Sequence, residues 1–147
     1  MIPVTREFTT HSADETIALG RQLAPLIRDA RVVLLRGDLG AGKTTMVKGI
    51  AEAFDAAERD DVTSPTFTLI HEYRGPDRSL FHIDLYRIDT QRELDTLGID
   101  ELMGEEGNIL LIEWGEKFPR FLSERNFEIV ITRAGDQDRK IVLLGEQ

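Results

Sequence analysis

The stretch Gly37-Asp38-Leu39-Gly40-Ala41-Gly42-Lys43-Thr44 fits G-x-x-x-x-G-K-[ST] and constrains this chain more than any other. It dictates its neighbours. Val32-Val33-Leu34-Leu35 before it is a short apolar run that reads as a buried strand, and Thr45-Met46-Val47-Lys48-Gly49-Ile50-Ala51 after it continues as a helix. Strand, glycine-rich turn and helix together are the setting of a phosphate-binding P-loop. The glycines let the backbone of Asp38, Leu39, Gly40, Ala41 and Gly42 wrap closely around phosphates, because positive φ costs them little and no side chain intervenes. The loop amides and the helix N-terminus add donors and partial positive charge. Lys43 then reaches the β- and γ-phosphates, and Thr44 places its hydroxyl on Mg²⁺.

A chain of 147 residues is expected to form a single domain spanning 1–147, with little room for a separate lid. The apolar runs are too short to span a membrane, the first seven residues lack the apolar centre of a signal peptide, and there are no cysteines. Together these point to the cytoplasm. The net charge of −9, without a basic run longer than two residues, argues against a nucleic acid held by this chain alone. A protein partner with a basic surface fits better.

The rest of the pattern reads as a mixed α/β sheet with helices on both faces, a P-loop NTPase-like fold. Ser12-Ala13-Asp14-Glu15 has capping-box spacing and opens a helix whose apolar face includes Ile17, Ala18, Leu23, Leu26 and Ile27; Pro25 kinks or restarts it. Residues 55–61 read as a polar loop. Residues 67–73 and 80–84, joined by Gly75-Pro76-Asp77, read as an antiparallel hairpin. Residues 91–103 read as one or two short helices. Residues 109–113 form a buried strand, 116–122 a short helix interrupted by Pro119, and 127–132 and 140–144 two late strands.

A P-loop needs a second group to position Mg²⁺ or water, usually an acid at the end of an apolar strand. Asp84 ends Leu80-Phe81-His82-Ile83, and Glu113 ends Ile109-Leu110-Leu111-Ile112. Spacing alone does not divide the two roles. Ser64-Pro65-Thr66 reads first as an ordinary turn, with a γ-phosphate-sensing segment as the alternative. Trp114, the only tryptophan, reads first as core, with stacking on a partner or bracing the site as alternatives. His82 and Tyr86 flank Asp84 at period two and are expected on its face, where they could form a hydrogen-bond network around it.

These segments, taken together and in order, resemble the TsaE family (older name YjeE). The residues that carry the resemblance are the P-loop through Thr45, Ser64-Pro65-Thr66-Phe67, His82-Ile83-Asp84-Leu85-Tyr86-Arg87 and Ile112-Glu113-Trp114. The resemblance spans roughly residues 5–145. It implies an ATPase that uses ATP and Mg²⁺ and is required to make threonylcarbamoyladenosine at the adenosine 3′ to the anticodon. The protein would act with a TsaD–TsaB heterodimer, reset that complex by hydrolysis, and meet tRNA only through it. It implies that Lys43 binds phosphate, Thr44 and Glu113 hold Mg²⁺, Thr45 contacts the α-phosphate and Asp84 acts in hydrolysis. Trp114 would matter for activity, and Ser64 and Thr66 would belong to a switch. The segment from Ser12 to Asp14 is a loose match to an adenine pocket. Three rivals remain: a small-molecule kinase, a GTPase and a nucleotide-gated module that does not hydrolyse. Against the first, there is no arginine-bearing lid insertion. Against the second, Asp95-Thr96-Leu97-Gly98 sits in a helical stretch and no Asn-Lys-x-Asp motif occurs.

Overall fold

Strands buried on both faces read as unbroken apolar runs, and the centre of this molecule is built from them. The structure is a computed structural model that describes residues 3–38 and 40–146. Strand β2 (Val32–Arg36) lies between β5 (Asn108–Glu113) and β6 (Phe127–Arg133), parallel to both. Strand β4 (Ser79–Asp84) extends the parallel set beyond β5. The outer strands are antiparallel: β3 (Ile70–Arg74) on β4, β7 (Arg139–Glu146) on β6, and β1 (Pro3–Thr10) on β7. The order across the seven-stranded sheet is β1-β7-β6-β2-β5-β4-β3.

Helices cover both faces. On one face α1 (Ala13–Leu23) and α2 (Lys43–Ala53) pack over Val33, Leu35, Leu80, Ile109, Leu111 and Ile129. On the other, the short helices α3 (Gln91–Asp95), α4 (Ile99–Gly104) and α5 (Pro119–Glu124) bring Leu94, Ile99 and Phe121 against Val32, Leu34, Phe81, Ile83, Leu110 and Ile112. The strict alternation in β4 and β5 decides which side chains meet α2. Leu80, His82 and Asp84 point to the α1/α2 face, as do Ile109, Leu111 and Glu113. The fold is the P-loop NTPase-like α/β sheet that the sequence pattern predicts.

Local chemistry explains the boundaries. Ser12 Oγ accepts the Glu15 amide at 3.1 Å and the Glu15 carboxylate accepts the His11 amide at 3.1 Å, which closes the α1 N-terminus. Pro25 falls in a 3₁₀ turn, Ala24–Ile27, that follows α1, so its missing N–H interrupts no α-helical ladder. Pro119 opens α5 rather than breaking it. Gly98, at φ 70°, separates α3 from α4.

Two elements differ from the sequence reading. Strand β1 is absent from it: the segment is largely polar and is ordered by eight paired residues along β7. The first hairpin strand starts at Ile70, not Phe67. Leu69 adopts φ 71° and its amide donates to Pro65 O at 2.7 Å, so residues 65–69 turn before the strand begins.

Candidate functional site

The end of β2 runs into the glycine-rich loop, and the loop into α2. Gly40 (φ 78°) and Gly42 (φ 113°) take the left-handed backbone that other residues rarely adopt. Gly37 is needed for a different reason: a Cβ there would lie 2.6 Å from Ile131 O on β6. Arg139 at the start of β7 braces the loop, its Nε donating to Ala41 O at 2.8 Å. Gly42 is the N-cap of α2, so no side-chain oxygen covers the first amides of the helix. An uncovered helix N-terminus preceded by such a loop favours anions.

Lys43, the first residue of α2, is buried. Its Nζ donates to Gly37 O at 2.6 Å and lies 3.2 Å from Glu113 Oε1. An ammonium carries three N–H groups, so one remains for a further acceptor. The second carboxylate oxygen, Glu113 Oε2, accepts a hydrogen bond from His82 Nε2 at 2.6 Å. Glu113 is 5 % exposed and His82 is 0 % exposed. Burial alone would disfavour the carboxylate form of Glu113. The His82 hydrogen bond and charge, followed by Lys43, outweigh it and hold the Glu113 pKa below the ordinary glutamate value.

Asp84 and Glu113 are register partners on adjacent parallel strands. Their surroundings differ. Asp84 Oδ2 accepts the Thr66 hydroxyl at 3.1 Å and Oδ1 accepts the Tyr86 amide at 2.9 Å. Ser64 Oγ lies 2.8 Å from Thr66 Oγ1, which continues the chain of hydroxyls. Asp84 therefore answers to neutral donors, whereas Glu113 is paired with Lys43 and His82. The strand ends just past Glu113, where Trp114 takes φ 63°, an uncommon conformation for a bulky residue. That bend lays its ring 5.2 Å from the Tyr86 ring and 5.7 Å from Lys43 Nζ.

The result is a pocket of about 610 Å³ at the carboxyl ends of β2, β5 and β4, lined by Gly40, Gly42, Lys43, Thr44, Thr45, Ser64, Thr66, Asp84, Tyr86, Glu113 and Trp114. Ligands of open α/β sheets bind at this edge. The pocket's volume is in the range of small-molecule sites.

The model of the family described as "Threonylcarbamoyl adenosine biosynthesis protein TsaE" matches residues 10–141. The chain belongs to the TsaE family. It is 39 % identical to the tRNA threonylcarbamoyladenosine biosynthesis protein TsaE of Bacillus subtilis, over 92 % of this chain and 82 % of that one. It is 40 % identical to the protein of the same name from Aquifex aeolicus, over 76 % and 78 %. Against the crystal structure of Bacillus subtilis YdiB the TM-score is 0.74 at 34 % identity, covering 99 % of this chain and 88 % of the other.

In this TsaE-family chain the pocket gathers most of the residues singled out by sequence: Gly40, Gly42, Lys43, Thr44, Thr45, Ser64, Thr66, Asp84, Glu113 and Trp114. Two P-loop candidates stand outside the lining. Ala41 is buried, and Asp38 is exposed, with its carbonyl accepting the Ala41 amide at 3.0 Å. Leu39 lies outside the described residues. Ser64-Pro65-Thr66 leads into the turn over 65–69, and the Ser64 and Thr66 side chains line the pocket. His82 does share a face with Asp84, but its partner is Glu113 rather than Asp84. Tyr86, expected beside Asp84, lines the pocket and gives its amide to Asp84 Oδ1 at 2.9 Å. Arg139 was missed as a site residue; nothing in the sequence tied it to a loop 98 residues away.

The donor set suits Mg²⁺. This hard cation prefers oxygen ligands and is commonly held by one or two carboxylates plus substrate phosphates. Thr44 and Glu113 supply a hydroxyl and a carboxylate in one pocket. Among the described residues there is no group of three or more His, Cys, Asp or Glu side chains that could hold a metal by themselves. Nor, among those residues, is any helix long and apolar enough to cross a membrane.

Proposed function

We propose that this chain is a Mg²⁺-dependent ATPase of tRNA N6-threonylcarbamoyladenosine synthesis, acting in the cytoplasm with a TsaD–TsaB complex that it resets by hydrolysing ATP. The observation that carries this reading is the placement of Lys43. It sits at the uncapped start of α2, between Gly37 O and Glu113, in the pocket that also holds Thr44 and Asp84. Membership of the TsaE family supports the pathway. The charge of −9 supports contact with tRNA only through protein partners.

In this reading the loop amides, Lys43 and Thr45 bind the phosphates of ATP, and Thr44 and Glu113 hold Mg²⁺. When bound, the ion supplies charge neutralisation across the β- and γ-phosphates. Asp84 acts on the water. Each of its oxygens already accepts one donor and keeps a further lone pair. Thr66 and Tyr86 thus orient it to accept a hydrogen bond from water placed for attack on the γ-phosphorus. The new P–O bond forms as the bond to the β–γ bridging oxygen breaks, giving ADP, inorganic phosphate and a proton. Ser64 and Thr66 act as a switch because their hydroxyl chain ends on Asp84. Trp114 braces Lys43 from the side.

ATP hydrolysis by the purified chain, alone and with TsaD–TsaB, tests the reading, with Lys43→Ala as control. Turnover stimulated by the partner and lost in the variant supports it. Partner-independent turnover would favour a self-sufficient ATPase or kinase. ATP bound without turnover in either case would favour a nucleotide-gated module.

A further inference from the structure

We propose that His82 is the positioning residue of this site: it ties back Oε2 of Glu113 and so presents Oε1 to Lys43 and to the metal-binding edge of the pocket. The inference rests on the reading of Glu113 as a Mg²⁺-holding acid.

The geometry is set by the sheet. His82 pairs in register with Leu111 across β4 and β5, and Asp84 with Glu113. His82 is therefore the diagonal neighbour of Glu113 on the α1/α2 face, a separation that long side chains bridge. Between the rings and chains of that face the imidazole is fully buried, and its Nε2 meets Glu113 Oε2 at 2.6 Å. The carboxylate accepts, so the proton of that bond sits on Nε2.

The other ring nitrogen makes the assignment pointed. His82 Nδ1 is buried and has no hydrogen-bond partner among the described residues. A histidine kept only for packing gains nothing from an orphaned buried nitrogen, which carries a desolvation cost. An apolar residue of similar size would fill the same space without it. What only a ring nitrogen at this place supplies is the hold on Glu113. Untethered, the carboxylate could rotate and offer Lys43 and a metal ion different oxygens in turn. Tethered, it offers one. Partners that orient a metal-binding carboxylate in this way are commonly worth ten- to a hundredfold in metal affinity.

The test is a titration of a non-hydrolysable ATP analogue, with and without Mg²⁺, followed by Trp114 emission, on the wild-type chain, His82→Leu and His82→Gln. Glutamine keeps an N–H donor near the position of Nε2; leucine does not. The expected result is a loss of about tenfold or more in apparent Mg²⁺ affinity for His82→Leu. The Mg²⁺-free affinity for the analogue should stay near the wild-type value, and His82→Gln should recover most of the loss. Three results would overturn the proposal: wild-type Mg²⁺ affinity in His82→Leu, equal impairment in both variants, or an equal fall in Mg²⁺-free affinity. If the wild-type chain itself binds the analogue without regard to Mg²⁺, the reading of Glu113 fails first and this inference falls with it.

Discussion

The hydroxyl of Thr66 donates to Asp84 Oδ2 at 3.1 Å, joining the turn ahead of β3 to the acid that ends β4. They are 18 positions apart in the chain. A movement of the turn therefore changes the donors of Asp84 directly, without passing through the core.

Thr66→Val keeps the shape of the side chain and removes this bond. A hydrogen bond to a charged acceptor is worth about 1.5–3 kcal/mol, and each 1.36 kcal/mol is tenfold in rate. Partner-stimulated kcat for ATP should fall roughly ten- to a hundredfold while KM changes little, because the phosphate contacts proposed for Lys43 and the loop are untouched. A wild-type kcat in steady-state kinetics would separate Thr66 from the chemistry.

Glu113 makes stability depend on pH. Its pKa is held below the ordinary glutamate value, against the effect of burial, by His82 and then Lys43. A group with a depressed folded-state pKa contributes stability above its unfolded pKa, about 4.3, and loses that contribution as pH falls through the lower, folded value. Urea unfolding at pH 7 and at successively lower pH should show the wild-type midpoint falling across the acid range, and Glu113→Gln falling less. Identical acid limbs would mean that Glu113 is not coupled to folding.

Lys117 ties down the segment that follows Asp84. Its Nζ donates to Leu85 O at 3.2 Å, Tyr86 O at 3.0 Å and Ile88 O at 2.6 Å. Lys117→Met retains the stem and removes the donor: Leu85 O keeps the Ile88 amide at 3.0 Å, whereas Ile88 O, on a buried residue, loses its lysine. A buried acceptor left unsatisfied costs about 1–3 kcal/mol. The variant should lose stability of that order in denaturant unfolding, and amide exchange of residues 85–88 should accelerate. Unchanged exchange would show that the segment is held by other contacts.

Gly49 is where α1 and α2 touch. A Cβ there would lie 1.9 Å from Ile17 O, and one at Gly20 would lie 2.4 Å from Met46 O. Glycine to alanine inside a helix ordinarily gains about 0.5–1 kcal/mol. Here the sign reverses: Gly49→Ala should cost on the order of 1–3 kcal/mol by overpacking, visible as a lower Tm. An unchanged or raised Tm would mean that the two backbones are farther apart than this packing requires.

Much of the site is legible in the sequence. The run Val32 to Leu35, the glycine pattern to Thr44 and the helix behind it are local signals that reinforce one another. The acids Asp84 and Glu113 stood out because each follows an apolar strand. What escaped the sequence depends on pairing between distant segments. Strand β1 carries little apolar signal and is defined by its partner β7. The partner of His82 is set by the β4–β5 register, 31 residues apart in sequence. Phe67 to Leu69 has a strand-like composition, yet the positive φ of Leu69 turns it. The differing environments of Asp84 and Glu113, neutral donors for one and Lys43 with His82 for the other, became visible only when side chains from β4, β5, α2 and the turn ahead of β3 met.

The pairing of Asp84 with Glu113 across β4 and β5 acts as a built-in gauge. The two acids keep their spacing because Phe81 stays opposite Leu110 and Ile83 opposite Ile112 on the far side of the sheet. A slip of one residue would turn both His82 and Asp84 away from α2. The apolar residues beneath α3, α4 and α5 lie on the opposite face of the sheet from Asp84 and Glu113, yet they set the pocket's calibration. Substitutions made there to probe folding should also be read as changes in how the acids are spaced.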